Sequence, residues 1–322
     1  MVVTDEDRPD SDDIVGPADA RVLPRFAGPA TFARLPALGE VSRYDVAVLG
    51  VPFDSGTTYR PGARFGPQAI RAGSKLLRRF HPQHNVEPFH GQQVVDAGDV
   101  VANPFDIMAA VESVQRGANE LLDGAPRLVT LGGDHTIALP LLRAMNRIHG
   151  PVALIHFDAH LDTWDTYFGA PYTHGTPFRR AAEEKLFVPG HSAHVGIRGS
   201  LYGPEDLVDD SAMGFEVTGT WELDELGLAG VVERLRTRVA DHPVYLSIDI
   251  DVLDPAFAPG TGTPEIGGFS TRELVAILRG LRGLPIVGLD VVEVSPAYDH
   301  AEITAIAAAN LIYETLALMA AE

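Results

Sequence analysis

The chain contains no cysteine. That excludes disulfides, thiolate zinc knuckles, iron–sulfur ligation and thiol nucleophiles, and it fits a reducing, cytoplasmic setting. Positive charge is scarce as well: 25 Lys and Arg face 44 Asp and Glu, a formal net charge of −19. Such a balance argues against general nucleic-acid or anionic-membrane binding and is compatible with a cationic ligand. A long, uninterrupted apolar run is missing too. The most apolar stretch, Ile303 to Ala321, is broken by Asn310 and Glu314 and reads as a helix laid on the domain, not a membrane span. Near the N-terminus there is no apolar core to suggest a signal peptide. Asp5, Glu6, Asp7, Asp10, Asp12, Asp13 and Asp19 instead give residues 1–22 the composition of a disordered acidic leader, ahead of a single domain over residues 23–322.

What remains is ample for one large core, with 322 residues of which 45% are apolar. Strand-like runs recur at Asp45–Val51, Gln93–Ala97, Arg127–Leu131, Val152–Phe157, His194–Ile197, Phe215–Val217, Val244–Ile248 and Ile286–Leu289. Helical patterns fall between many of them, at Pro67–Phe80, Pro104–Leu122, Ile137–Ile148, Pro177–Leu186, Gly230–Ala240, Thr271–Leu281 and Ile303–Met319. Alternating strands and helices with nearly continuous apolar strands predict an α/β fold: a three-layer α-β-α sandwich around a mostly parallel, eight-stranded sheet. Ligands of such sheets bind beyond the carboxyl ends of the strands.

Two acidic clusters sit at that position. Asp158-Ala159-His160-Leu161-Asp162 follows one apolar run, and Asp249-Ile250-Asp251 follows another. If the backbone stays extended, alternate residues share a side, so Asp158, His160 and Asp162 converge, as do Asp249 and Asp251. A third run ends in Gly132-Gly133-Asp134-His135 and offers His135. A lone Asp-x-Asp usually marks a turn or helix cap. So many carboxylates and imidazoles gathered at strand ends would repel one another without a counter-ion. Four carboxylates and two imidazoles are too many for one metal. They suit two hard divalent ions sharing bridging carboxylates, and an oxygen-rich, sulfur-free set favours manganese over zinc.

His174, in a loop before a predicted helix, is either a proton shuttle facing the metals or an exposed loop histidine. Glu293, after the last strand, is either a paired acceptor for a planar cation or a structural salt-bridge partner. His156 lies deeper in its strand than Asp158 and reads as a hydrogen-bonded core residue. Asp54, Asp99 and Asp290 read as capping or loop residues. The glycines of Pro259-Gly260-Thr261-Gly262-Thr263-Pro264 do not directly follow a strand and carry Glu265 where a third glycine should stand, so they form a rigid loop, not a dinucleotide fingerprint.

Together, Gly132-Gly133-Asp134-His135-Thr136, Asp158-Ala159-His160-Leu161-Asp162, His174-Gly175-Thr176-Pro177-Phe178, Ser247-Ile248-Asp249-Ile250-Asp251-Val252-Leu253-Asp254-Pro255 and Ala258 to Gly268 resemble the ureohydrolases, the arginases, agmatinases and their relatives. The resemblance runs from about Pro24 to the C-terminus with every ligand position filled. Tyr59 to Pro67 and Glu293-Val294-Ser295-Pro296-Ala297-Tyr298-Asp299 are closer to agmatinases and guanidino-acid hydrolases. The stretch Trp164-Asp165-Thr166-Tyr167-Phe168-Gly169 lacks the Asn-rich loop by which arginases hold the α-amino and α-carboxylate groups.

The resemblance implies two manganese ions per subunit. His135, Asp158, Asp162 and Asp249 would hold one ion and Asp158, His160, Asp249 and Asp251 the other, with Asp158 and Asp249 bridging. It implies hydrolysis of a small guanidino substrate to urea and a primary amine, with agmatine giving putrescine. Glu293 would orient the guanidinium, and His174 or Asp162 would protonate the leaving amine. Trp164, Asp165 and Tyr167 would meet the distal end of the substrate. Asp165 would suit an ammonium, whereas Arg60 or Arg198 would suit the carboxylate of guanidinobutyrate or guanidinopropionate. A homotrimer or homohexamer is also implied. Outside this family, a single-zinc deacetylase-like enzyme or a non-catalytic metal-binding protein are the competing readings.

Overall fold

The structure is a computed structural model and describes residues 14–321. Eight strands form one sheet: β1 (Val46–Gly50), β2 (Val94–Asp99), β3 (Arg127–Leu131), β4 (Ala153–Phe157), β5 (Ser192–Ile197), β6 (Phe215–Gly219), β7 (Val244–Asp249) and β8 (Ile286–Val292). Their order is β2-β1-β3-β8-β7-β4-β5-β6, with every neighbouring pair parallel.

Alternation along each strand feeds two cores. Val46 and Val48 face one side and Ala47 and Leu49 the other; Ala153, Ile155 and Phe157 oppose Leu154 in the same way. On the first face pack α1 (Gly66–Ser74), α6 (Leu223–Val239), α7 (Thr271–Gly280) and α8 (Ile303–Ala320); on the second pack α2 (Ile107–Leu122), α3 (Ala138–His149) and α4 (Pro177–Glu183). The apolar stretch at the C-terminus is therefore a core helix, with 78% of it buried in the domain.

Several sequence expectations change, among them the end of α1, at Ser74 and not Phe80. A short helix, α5 (Glu205–Ala212), appears where none was predicted. It buries only Asp210, so it has no apolar stripe to betray it. Helix α6 begins seven residues early because Gly227, at φ 60°, interrupts its pattern without ending it. The acidic leader was expected to reach residue 22. Its first 13 residues lie outside the described ones, but beyond them Val15 exchanges two hydrogen bonds with the Gln93 side chain and Ala18 N–H donates to Arg34 O. Val15 and Ala18 are thus hydrogen-bonded to the domain.

Candidate metal centre

Four adjacent strands, β3, β8, β7 and β4, carry the functional side chains at their carboxyl ends. All six expected ligands meet there. His135 Nδ1 lies 2.8 Å from Asp162 Oδ2, 3.4 Å from Asp158 Oδ2 and 3.5 Å from Asp249 Oδ2. His160 Nδ1 lies 3.1 Å from Asp251 Oδ2 and 3.3 Å from Asp158 Oδ1. Asp158 thereby turns one oxygen toward each imidazole. The convergence is not made by an extended backbone, as the alternation argument required. β4 stops at Phe157, Asp162 sits in the left-handed region at φ 55°, and Asp251 lies in a tight 3₁₀ turn that Asp249 caps.

The residues fit divalent metal. His135 Nδ1 is buried without a hydrogen-bond partner and faces three carboxylates. Burial, and after it the neighbouring carboxylates, push Asp249 well above the usual carboxylate range; burial and Asp158 push Asp251 up to about 6 and raise Asp162 too. For Asp158 burial opposes ionisation, yet the surrounding imidazoles outweigh it and hold the group well below that range. Such a cluster stays fully ionised only beside added positive charge.

Side chains behind the cluster orient it. His135 Nε2 is 2.8 Å from Ser247 Oγ. Ser247 Oγ–H and Tyr245 O–H both donate to Asp290, each at 2.6 Å. Asp290 is a hub beneath the centre and not the strand-end cap expected. His156 is, as read from its sequence position, a buried hydrogen-bonded residue: its Nε2 is 2.8 Å from Asp158 Oδ2.

His174 lines the cleft at the open end of the cluster. Its Nδ1 is 3.0 Å from Glu293 Oε1, while Thr58 reaches its Nε2 through both Oγ1 (2.7 Å) and N–H (3.1 Å). Burial would lower its pKa, but the Glu293 hydrogen bond and charge outweigh that and raise it to about 9. Glu293 lies beneath, also left-handed at φ 63°. Its Oε1 accepts from His174 and from the His135 backbone N–H at 3.0 Å, leaving Oε2 buried and unpartnered. The expected two-oxygen grip on a planar cation is thus half occupied. Asp134, unassigned from sequence, accepts from Gly56 N–H at 2.8 Å and is pushed up to about 7 by burial and by Glu293.

The cleft above has a volume of about 250 Å³. Trp164 and Tyr167 line it as expected, joined by Tyr202, Ser200, Leu201, Thr263 and Glu265, which sequence reasoning did not assign to the site. Trp164 packs edge-on against both tyrosines at 5.7 and 6.0 Å. Asp165 is a correction: it is not part of the cleft wall, because its exposed carboxylate pairs with Arg180 at 2.5 Å. Neither candidate arginine lines the cleft. Arg198 donates to the carbonyls of Gly196, Asp251, Val252, Leu253, Glu265 and Ile266, and Arg60 stacks between Tyr59 and Tyr298, 5.2 Å from each ring.

A second cluster with metal-capable side chains, His81, His84 and Glu314, lies elsewhere. There Arg279 already donates to both oxygens of Glu314 at 3.0 Å, so the buried carboxylate has its counter-charge.

With this geometry in place, comparison with known proteins is decisive. The arginase family model matches residues 44–318. The chain belongs to the arginase family. Among relatives of this arginase-family hydrolase, a putative agmatinase 1 of Schizosaccharomyces pombe is 46% identical, over 91% of this chain and 83% of that protein. The guanidinopropionase of Pseudomonas aeruginosa is 45% identical, over 96% and 98%. The solved proclavaminate amidinohydrolase of Streptomyces clavuligerus superposes with a TM-score of 0.89 at 45% identity, covering 92% of this chain and 99% of that one. The family excludes the deacetylase-like and non-catalytic readings; the chain is a guanidino-group hydrolase.

Proposed function

We propose that this enzyme hydrolyses agmatine to urea and putrescine with two manganese ions. His135, Asp158, Asp162 and Asp249 hold one, and Asp158, His160, Asp249 and Asp251 the other. One observation carries the substrate choice. None of the described residues lining the cleft is Lys or Arg, and Glu265 stands in its wall, 3.9 Å from His160. Glu265 favours a distal ammonium, and the wall offers no cationic side chain to a carboxylate. One feature favours a guanidino acid instead: the Trp164 indole N–H is buried without an acceptor, and a distal carboxylate would satisfy it.

When bound, the ions would supply Lewis acidity and lower the pKa of a coordinated water. Everything else falls to the protein. The open Oε2 of Glu293 accepts a guanidinium N–H and fixes the plane of the carbon. Water oxygen bonds to that carbon, and the C–N bond to the alkyl chain breaks. The attacking oxygen sheds a proton as the urea carbonyl forms, and the departing amine takes one up. His174, which carries it between Glu293 and Thr58, or Asp162 delivers it. A homotrimer or homohexamer is part of the proposal, supported by exposed Phe168, Tyr202 and Ile266 on the loops around the cleft; light scattering tests it. The cysteine-free composition supports a cytoplasmic setting.

The test is to strip the protein of metal, restore single metals and measure urea from agmatine, arginine, 4-guanidinobutyrate and 3-guanidinopropionate. Two Mn²⁺ per chain, agmatine as best substrate and arginine at least a hundred-fold poorer are expected. That gap needs only about 2.7 kcal/mol of discrimination. One tight zinc with no response to manganese would refute the two-ion centre. A guanidino acid with the higher kcat/KM would refute agmatine alone.

A further inference from the structure

A row of polar side chains crosses the middle of the sheet, directly under the centre. Asp290 of β8, Ser247 of β7, His156 of β4 and His194 of β5 are register partners, strand by strand. The Asp290–Ser247 half reaches His135. The other half leads away from Asp158. His156 Nε2 is 2.8 Å from Asp158 Oδ2, and its Nδ1 is 2.6 Å from His194 Nδ1. His194 Nε2 faces Asp210 Oδ2 at 3.4 Å, and Asp210 Oδ1 accepts from Thr163 Oγ1 at 2.7 Å. Thr163 directly follows Asp162, so the path that leaves one ligand returns beside another. His156, His194 and Asp210 have no exposed surface. Phe178 and Phe215 pack on the two rings, with centroids 4.3 Å from His156 and 4.4 Å from His194.

The order of protons in this path follows from its ends. A carboxylate accepts, so His156 carries hydrogen on Nε2 and presents a lone pair at Nδ1. The short Nδ1–Nδ1 contact then requires His194 to donate. Asp210 Oδ2 faces the remaining nitrogen of His194 at 3.4 Å without a hydrogen bond between them, and the Thr163 hydroxyl on its other oxygen holds the carboxylate beside the ring. Asp210 is also the one buried residue of α5, the helix that follows the cleft-lining Ser200–Tyr202 segment. A helix serving only to pack would bury an apolar side chain there.

We propose that His194 and Asp210 are positioning residues of the metal centre. Through His156 they hold Asp158 with one oxygen toward each ion, and they anchor the cleft-lining segment to the same bridge. This rests on the two-ion reading above. Partners that orient metal ligands typically contribute 10- to 100-fold in metal affinity.

The test measures Mn²⁺ binding by equilibrium dialysis and the spin coupling of the two ions by electron paramagnetic resonance. It compares the wild type with Asp210→Asn and with His194→Phe, which preserves ring volume. Each variant is expected to bind at least one ion 10- to 100-fold more weakly and to lose the coupled signal at limiting manganese. Variants that bind both ions as tightly as wild type, or that lose only thermal stability in the metal-free form, overturn the proposal. Wild type that takes up fewer than two ions overturns the centre itself and this proposal with it. If a variant does not fold, nitrogen-15 spectra of the metal-free wild type decide. His156 protonated on Nε2 and His194 on Nδ1 support the order argued here; His156 protonated on Nδ1 overturns it.

Discussion

Glu293→Gln separates chemistry from scaffold unusually well. In the wild type Oε1 takes the His135 N–H and His174 Nδ1, and Oε2 is buried and unpartnered. Glutamine keeps one carbonyl oxygen. Its orientation is forced, since the flipped amide would press NH₂ against the His135 backbone N–H. The amide nitrogen therefore lands where the guanidinium expects an acceptor. Losing a charged hydrogen bond costs about 1.5–3 kcal/mol, and leaving donors opposed adds about 1–3 kcal/mol. The sum, roughly 2.5–6 kcal/mol, is a fall of about 10²- to 10⁴-fold in kcat/KM. Fold and manganese content should be unchanged. A second signature accompanies it. Glu293 is what raises His174 to about 9, against burial, so removing its charge moves any His174 limb of the pH–rate profile to lower pH. The assay is urea release across pH with metal content measured in parallel. A loss under ten-fold, or a pH profile that does not move, would refute the role given to Glu293.

His174→Ala should keep both ions and lose about 10²- to 10⁴-fold in kcat, as expected for a proton donor; loss of metal would make it a ligand, and a fall under about three-fold a bystander. Glu265→Gln should lower kcat/KM for agmatine by up to about five-fold, because the carboxylate is partly solvated, and improve 4-guanidinobutyrate relative to agmatine; an unchanged ratio removes Glu265 from substrate choice. Glu314→Gln tests the second cluster: it leaves Arg279 and His84 without a buried counter-charge. Unfolding in guanidinium chloride should show a loss near the low end of about 3–5 kcal/mol, since the Arg279 side chain is 34% exposed, with the urea-forming activity of the surviving folded protein intact.

The strands and ligands were legible because their signals are local. β3, β4, β7 and β8 are short apolar runs that end in residues of recognisable chemistry, and His135, Asp158 and Asp249 need no tertiary information to stand out. What could not be read was anything set by how loops meet. Asp165 sits one residue from a true wall residue, yet outside a regular element its direction does not follow from its position, and Arg180 draws it outward. Glu265 and Tyr202 enter the cleft from loops far apart in sequence. Helix α5 hid because its single buried side chain is an aspartate, and that aspartate lies between His194 and Thr163 in the polar row that starts at His156.

Asp162 and Glu293 share one more property: both hold left-handed backbone, φ 55° and 63°, with a side chain attached. Such positions cost on the order of 1–3 kcal/mol each and persist where the surroundings impose them. Glycine would adopt the same backbone freely. A search for hardier variants guided only by melting temperature would thus be drawn, among other left-handed positions, to substitutions at the proposed metal ligand and the proposed guanidinium acceptor. Selection for turnover has to oppose that pull at both sites, so thermal tolerance and activity should trade off there.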